Sequence, residues 1–140
     1  MASINQTILI RTDLFNLPED TGLLTAQVAH IHADLFILGM GRKDNQLTFE
    51  PRENLKLECF KEWIKQPYIF VKKVPNAEAL DHFSNLAASK GLYITEWRDT
   101  VYVRLSSTMK QAFSEVLVGV SFGPDDADLI RTVVGDLPLL

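Results

Sequence analysis

Gly22 to Leu38 reads GLLTAQVAHIHADLFIL, and how this stretch folds decides how the rest can be arranged. Leu24, Val28, Ile31, Leu35 and Leu38 recur at helical spacing and form an apolar stripe. Ala26, Ala29 and Ala33 form a small-residue row, which permits close approach to a sheet. Leu23, Gln27, His30 and Asp34 fall at i, i+4, i+7 and i+11 and share a third row. Gln27 and His30 therefore stand together near the N-terminal end of the helix, where the dipole is positive. Asp20 or Thr21 is placed to cap that end, and Gly39 to Gly41 is a stop signal.

Upstream, Thr7 to Arg11 (TILIR) is a β-branched, apolar run that predicts a buried strand, followed by a loop over Phe15 to Thr21. Downstream, Arg42 to Glu50 is polar and reads as irregular. A second helix is expected between Pro51 and Lys65, with Leu57, Phe60 and Ile64 inward. Tyr68 to Val74 (YIFVKKV) reads as a strand. Pro75 and Asn76 open a helix that presents Leu80, Phe83 and Ala87 and ends at Gly91. Leu92 to Trp97 predicts a strand, Arg98 and Asp99 a turn, and Thr100 to Leu105 an alternating run. Ser106 to Glu115 has no clear pattern, whereas Val116 to Val120 (VLVGV) predicts a buried strand. Pro124, Asp125 and Asp126 sit in the first turn of a last helix that ends at Gly135. The order β-α-α-β-α-β-β-α predicts an α/β fold, a three-layer sandwich with one mixed four-stranded sheet and helices on both faces.

The length of 140 residues favours one domain spanning 1–140. At 46% hydrophobic and 23% charged, the composition is that of an ordinary globular protein. No apolar run approaches the ~20 residues needed to cross a bilayer, so no membrane partner is expected. Ile8 to Ile10 is too short for the apolar core of a leader, and a cytoplasmic location is the default. The lone Cys59 excludes an internal disulfide and a cysteine-based zinc site. The net charge of −4 argues mildly against a nucleic-acid binder, although a few well-placed cations can override the total. The pairs Arg42 and Lys43, Lys61 and Lys65, and Lys72 and Lys73 read first as solvated surface.

In α/β sheets, sites form where strand ends meet helix N-termini. Arg11, Thr12 and Asp13 end the first strand, Gln27 and His30 lie on the helix behind its loop, and Glu96, Asp99 and Thr100 end the third strand. Each has a plainer use: Gln27 and His30 satisfying groups at the core edge, Asp99 making a turn, Asp13 capping the loop. His30 and His32 diverge on a helix and make a poor metal pair. Ser121 to Pro124 (SFGP) is neither a nucleophile elbow nor a phosphate loop. The chain carries no P-loop, dinucleotide fingerprint or zinc motif.

Four blocks in order, ILIRTDL, GLLTAQVAH, QPYIFVKKV and VGVSFGPDDADLIRTVVGDLPLL, resemble the type II peptidyl-tRNA hydrolases of archaea and eukaryotes. Residues 7–35 and 66–140 carry the resemblance, with 36–60 and 104–115 outside it. The resemblance implies hydrolysis of the ester between a peptide and the terminal ribose of tRNA, with no cofactor, in a homodimer. It implies tRNA or peptidyl-tRNA as partner. There are departures. Leu23 stands where the family places a lysine before its A-Q-x-x-H element, and the first lysine of this chain is Lys43. Tyr68 replaces a second family lysine, while a later one matches Lys72. The family's catalytic aspartate aligns without a gap to Glu96, or with a shift to Asp99; Thr100 matches its threonine.

Ester hydrolysis develops an oxyanion, and a donor aimed at it is worth roughly 3 kcal/mol or more. On this reading Asp99 or Glu96 orients water, Thr100 and His30 assist, and Arg11, Asp13, Gln27 and Lys72 contact substrate. Arg11 or His30 would have to replace the lost cation. Two alternatives remain open: a non-catalytic binding module on the same fold, and a function carried by the segment Arg42 to Arg52.

Overall fold

The structure, a computed structural model, describes residues 3–37, 40–43, 46–49, 56–104, 106 and 108–140. Strand β1 (Ile4–Arg11) leads into helix α1 (Thr21–Ile37) and a hairpin of β2 (Met40–Lys43) and β3 (Gln46–Phe49). Helix α2 (Leu57–Lys65), β4 (Tyr68–Val74) and α3 (Ala77–Ser89) follow. The chain closes with β5 (Ile94–Arg104), β6 (Lys110–Asp126) and α4 (Ala127–Val134). The main sheet has the order β4-β1-β6-β5. β1 runs parallel to β4 and antiparallel to β6, and β5 is antiparallel to β6. The α/β expectation with a four-stranded mixed sheet therefore holds.

The side chains of β1 alternate between two cores, as strand geometry requires. Leu9 packs with Val74, Leu80, Ala87, Phe122 and Ile130, under α3 and α4. Ile8 and Ile10 pack with Leu24, Ile31 and Val118, under α1. A third cluster of Leu35, Phe60, Trp63 and Tyr93 seats α2 beside the end of α1. Asn76 caps α3 by accepting from the Ala79 amide at 2.9 Å.

Several expectations change. Ala26 and Ala29 are exposed, so the small row of α1 does not meet the sheet. The small residue at that contact is in the sheet itself, at Gly119. A Cβ there would stand 2.6 Å from the Leu9 carbonyl oxygen and 2.6 Å from Ile31 Cδ1. Over 42–50, the described backbone forms the β2–β3 hairpin in place of an irregular stretch, by pairing Met40 with Phe49 through Lys43 with Gln46. In α2 the buried residues are Phe60 and Trp63, while Leu57 and Ile64 are exposed. The Trp63 indole N–H donates to the Tyr68 carbonyl at 2.9 Å, which rotates the helix to that face. Leu38 and Gly39 of the α1 stop, and 51–55 of the expected second helix, lie outside the described residues.

Arg98 and Asp99 make no turn. β5 continues through them with register shifts between Trp97 and Arg98 and between Asp99 and Val101, the irregularities that bend a strand without ending it. Its partner β6 begins at Lys110, so Lys110 to Phe113 of the unpatterned segment pair with β5 and extend a long β5–β6 arm. Pro124 and Asp125 still belong to β6, because the ladder runs on to Asn5–Asp125 and Ile4–Asp126. The last helix starts one residue after Asp126, whose carboxylate accepts from the amides of Asp128 and Leu129.

A buried polar relay crosses the α1 face. The Gln6 amide donates to Ser121 Oγ at 2.8 Å and offers its oxygen to His32 Nδ1 at 2.8 Å, so that nitrogen carries the hydrogen. Burial pushes the His32 imidazole below its ordinary value of about 6.5.

Gly119→Ala is expected to cost about 1–3 kcal/mol in denaturant unfolding, because the Leu9 backbone and the Ile31 side chain must both shift; an unchanged midpoint would contradict the close packing of α1. Because the unfolded chain takes up the His32 proton first, stability is full above about pH 6.5 and declines as pH falls toward the lower folded value. The urea midpoint should therefore drop between pH 7 and 5, and drop less in His32→Gln.

Candidate functional site: a cleft between the strand-one loop and the β5–β6 arm

The loop after β1 is held at both ends. The Thr12 amide donates to the Val74 carbonyl at 3.0 Å, and the Asp20 carboxylate accepts from the Asn16 amide at 2.7 Å. The Thr21 hydroxyl donates to the Pro18 carbonyl at 2.6 Å, so Asp20 and Thr21 both close the loop as α1 begins. Facing this loop, the β5–β6 arm continues past the end of β1. Between them lies an open cavity of about 870 Å³. Leu14, Phe15, Leu23, Val101 and Tyr102 give it apolar surface; Gln27 and Thr100 add neutral polar groups. Its charged lining is Asp13, Glu19, Asp20 and Lys110.

Gln27 is fixed by two partners. The Trp97 indole N–H can only donate, and it donates to Gln27 Oε1 at 2.7 Å. That sets the amide's orientation and aims Gln27 Nε2 at Asp99 Oδ2, 3.0 Å away. The other Asp99 oxygen accepts from the Thr100 amide at 2.7 Å. Both carboxylate oxygens thus hold one donor each and retain lone pairs for water or substrate. His30 stacks on Trp97, with centroids 5.3 Å apart and planes 16° from parallel. One row of α1 and one face of β5 therefore meet along Gln27, His30, Trp97 and Asp99.

Arg11 is committed to its own loop. Its Nε and one terminal nitrogen grip the two oxygens of Asp13 at 2.7 Å each, and the other terminal nitrogen reaches the Leu117 carbonyl at 3.3 Å. The hydrogen bond to Asp13, foremost, raises the guanidinium above its ordinary value against the opposing effect of burial; the charges of Asp13 and Glu78 add to it. This bidentate pair neutralises both groups at the cleft wall.

The structure thus brings Asp13, Gln27 and Thr100 to one cleft, with Asp99 bonded to Gln27 and Thr100 at its edge, His30 stacked on Trp97 and Arg11 paired with Asp13. Glu96 is apart: it is exposed, two residues along the strand from Ile94 of the α3–α4 core, and its partner is Arg98 at 3.4 Å. Lys72 is apart too. Its ammonium donates to the carbonyls of Val134 and Gly135 at 2.9 and 3.1 Å, closing the C-terminal end of α4. Trp97, which holds Gln27, and the cleft residues Tyr102 and Lys110 were not among the candidate site residues read from the sequence. Trp97 carried a signal, since it lies two positions from Asp99 and a strand would place both on one face; the expected turn hid it. Tyr102 and Lys110 come from a register that only pairing defines. Among the described residues no group of three His, Cys, Asp or Glu side chains is placed to hold a metal ion. No described helix is long and apolar enough to cross a membrane.

With this geometry in hand, comparison with known families is decisive. The model of the family described as peptidyl-tRNA hydrolase PTH2 matches residues 4–140. The chain belongs to that family. Among curated proteins nothing matches it. In this family member α1 carries Ala26, Gln27 and His30, and Gln27 holds the Asp99 carboxylate. The helix presents Leu23, 63% exposed, where the sequence comparison above expects a lysine.

Gln27→Leu tests the bridge. It leaves the Trp97 indole N–H without its acceptor, a loss of about 1–3 kcal/mol where the group stays shielded from water. The indole N–H resonance should shift and exchange faster with solvent; an unchanged resonance would contradict the contact.

Proposed function

We propose that this protein hydrolyses the ester that joins a peptide to tRNA, as a single domain that needs no cofactor. The observation that carries this reading is the Asp99 carboxylate, held by Gln27 at 3.0 Å on the edge of a cleft large enough for a substrate end. Asp99 accepts a proton from water as the water oxygen attacks the acyl carbon. The ester C–O bond then breaks, and the ribose oxygen leaves with a proton. Thr100 and His30 assist from the two flanks, and Asp13 with Arg11 shapes the opposite wall. Peptidyl-tRNA is a cytoplasmic substrate, and the reading places the protein there. A homodimer accords with the exposed Tyr68, Ile69 and Phe70 on edge strand β4 and with Leu139 and Leu140.

One observation favours a second reading, a non-catalytic binding module. Leu23 brings no cation to the cleft, and Arg11 is already neutralised by Asp13. The deciding assay is hydrolysis of an N-acetylated aminoacyl-tRNA. Asp99→Asn is expected to lower kcat/KM about 100- to 10,000-fold, and Glu96→Gln to change it little. Loss in Glu96→Gln alone would move the water-orienting role to that carboxylate. A folded protein with no turnover above buffer would retire the hydrolase and leave the binding module.

A further inference from the structure

The β5–β6 arm differs in character from the rest of the chain. Residues 98–114 carry Arg98, Arg104 and Lys110 against one carboxylate, Asp99, in a protein of net charge −4. Three large side chains on the arm are unburied: Tyr102 at 68% exposure, Met109 at 60% and Phe113 at 43%. Tyr102 and Lys110 both line the cleft, from adjacent strands whose pairing sets Tyr102 opposite Ala112 and Arg104 opposite Lys110. Lys110 is the only cation among the described cleft residues, and no described residue forms an ion pair with it.

Distance excludes Lys110 as a partner for an oxyanion at Asp99. Asp99 pairs with Val116 and Arg104 with Lys110, so the two rungs are five β5 residues apart. At about 3.4 Å per residue that is roughly 17 Å. The same separation suits a long substrate, whose ester sits at one end of the cleft while its backbone passes the other. An exposed aromatic ring beside a lysine is the pairing that holds single-stranded nucleic acid: the ring stacks a base and the cation meets a phosphate.

We infer that the β5–β6 arm is a docking platform for the single-stranded end of an RNA, with Tyr102 stacking a base and Lys110 contacting a backbone phosphate. This deepens the hydrolase reading, because it assigns the RNA half of the substrate to the arm and the ester to Asp99. It also explains how an acidic protein takes a polyanion: the contact falls on a locally cationic, aromatic arm.

The test is binding of fluorescently labelled deacylated tRNA, followed by anisotropy and needing no turnover. Tyr102→Ala should weaken binding about 5- to 150-fold, the range expected for one stacked base. Lys110→Ala should weaken it and lower the slope of log Kd against log salt by about 1. Lys90→Ala, an exposed lysine at the end of α3, should leave affinity unchanged. A tRNA trimmed of its unpaired terminal nucleotides should bind the wild type as weakly as the intact tRNA binds Tyr102→Ala. Affinity indifferent to both arm variants, or to trimming, would overturn the platform, as would absence of tRNA binding. Arm-dependent binding without hydrolysis would retire the hydrolase and keep the platform; hydrolysis with arm-independent binding would do the reverse.

Discussion

The structure depends on the burial of β1 on every side. Asn5 to Ile10 are all buried, and the strand is paired with β4 along one edge and β6 along the other. A strand in that position needs apolar side chains on both faces, and Leu9 supplies one core while Ile8 and Ile10 supply the other. Its parallel pairing with β4 forces a long crossover, which α1, the β2–β3 hairpin and α2 provide. Because α1 must return across the face carrying Ile8 and Ile10, its N-terminal turns come to lie beside the loop where β1 ends. The site is a consequence of that return path.

The cleft is built by matching two periodicities. Along α1, Gln27 and His30 share a row beside the apolar stripe; along β5, Trp97 and Asp99 lie two apart. Packing brings the row against the strand face, and each polar group finds a partner of the correct kind. The indole donates to the amide oxygen and the amide nitrogen donates to the carboxylate. A carboxylate at the margin of a core is tolerable only with such donors, since a half-shielded charge without them carries a desolvation penalty. The same bonds that make Asp99 affordable to the fold also hold it in one orientation at the cleft.

Charge is distributed unevenly around this cleft. Its loop wall carries Asp13, Glu19 and Asp20, of which Asp13 is neutralised by Arg11, while its arm wall carries Lys110. A polyanion approaching from the loop side meets repulsion, and one approaching along the arm does not. Leu23 adds apolar surface to the cleft beside this acidic wall.

Local pattern in the sequence determined a good part of this protein. The β-branched run of β1, the stripe of α1, the strand YIFVKKV and the Asn76 cap each act over a few neighbouring residues, and each was legible there. So was the row that puts Gln27 beside His30. The tertiary structure decided what depends on partners distant in the chain. Bulges let β5 run through Arg98 and Asp99, because β6 supplied a ladder that outweighed the turn preference of those residues. Pairing with β5 gave structure to a segment without its own pattern and carried Lys110 to the cleft. Gly119, not the alanine row of α1, became the point of close approach, since which small residue meets a neighbour depends on the rotation of the whole helix. And the carboxylate that meets Gln27 is Asp99, while Glu96 pairs with Arg98, because the alternation of a bulged strand cannot be read until its register is known.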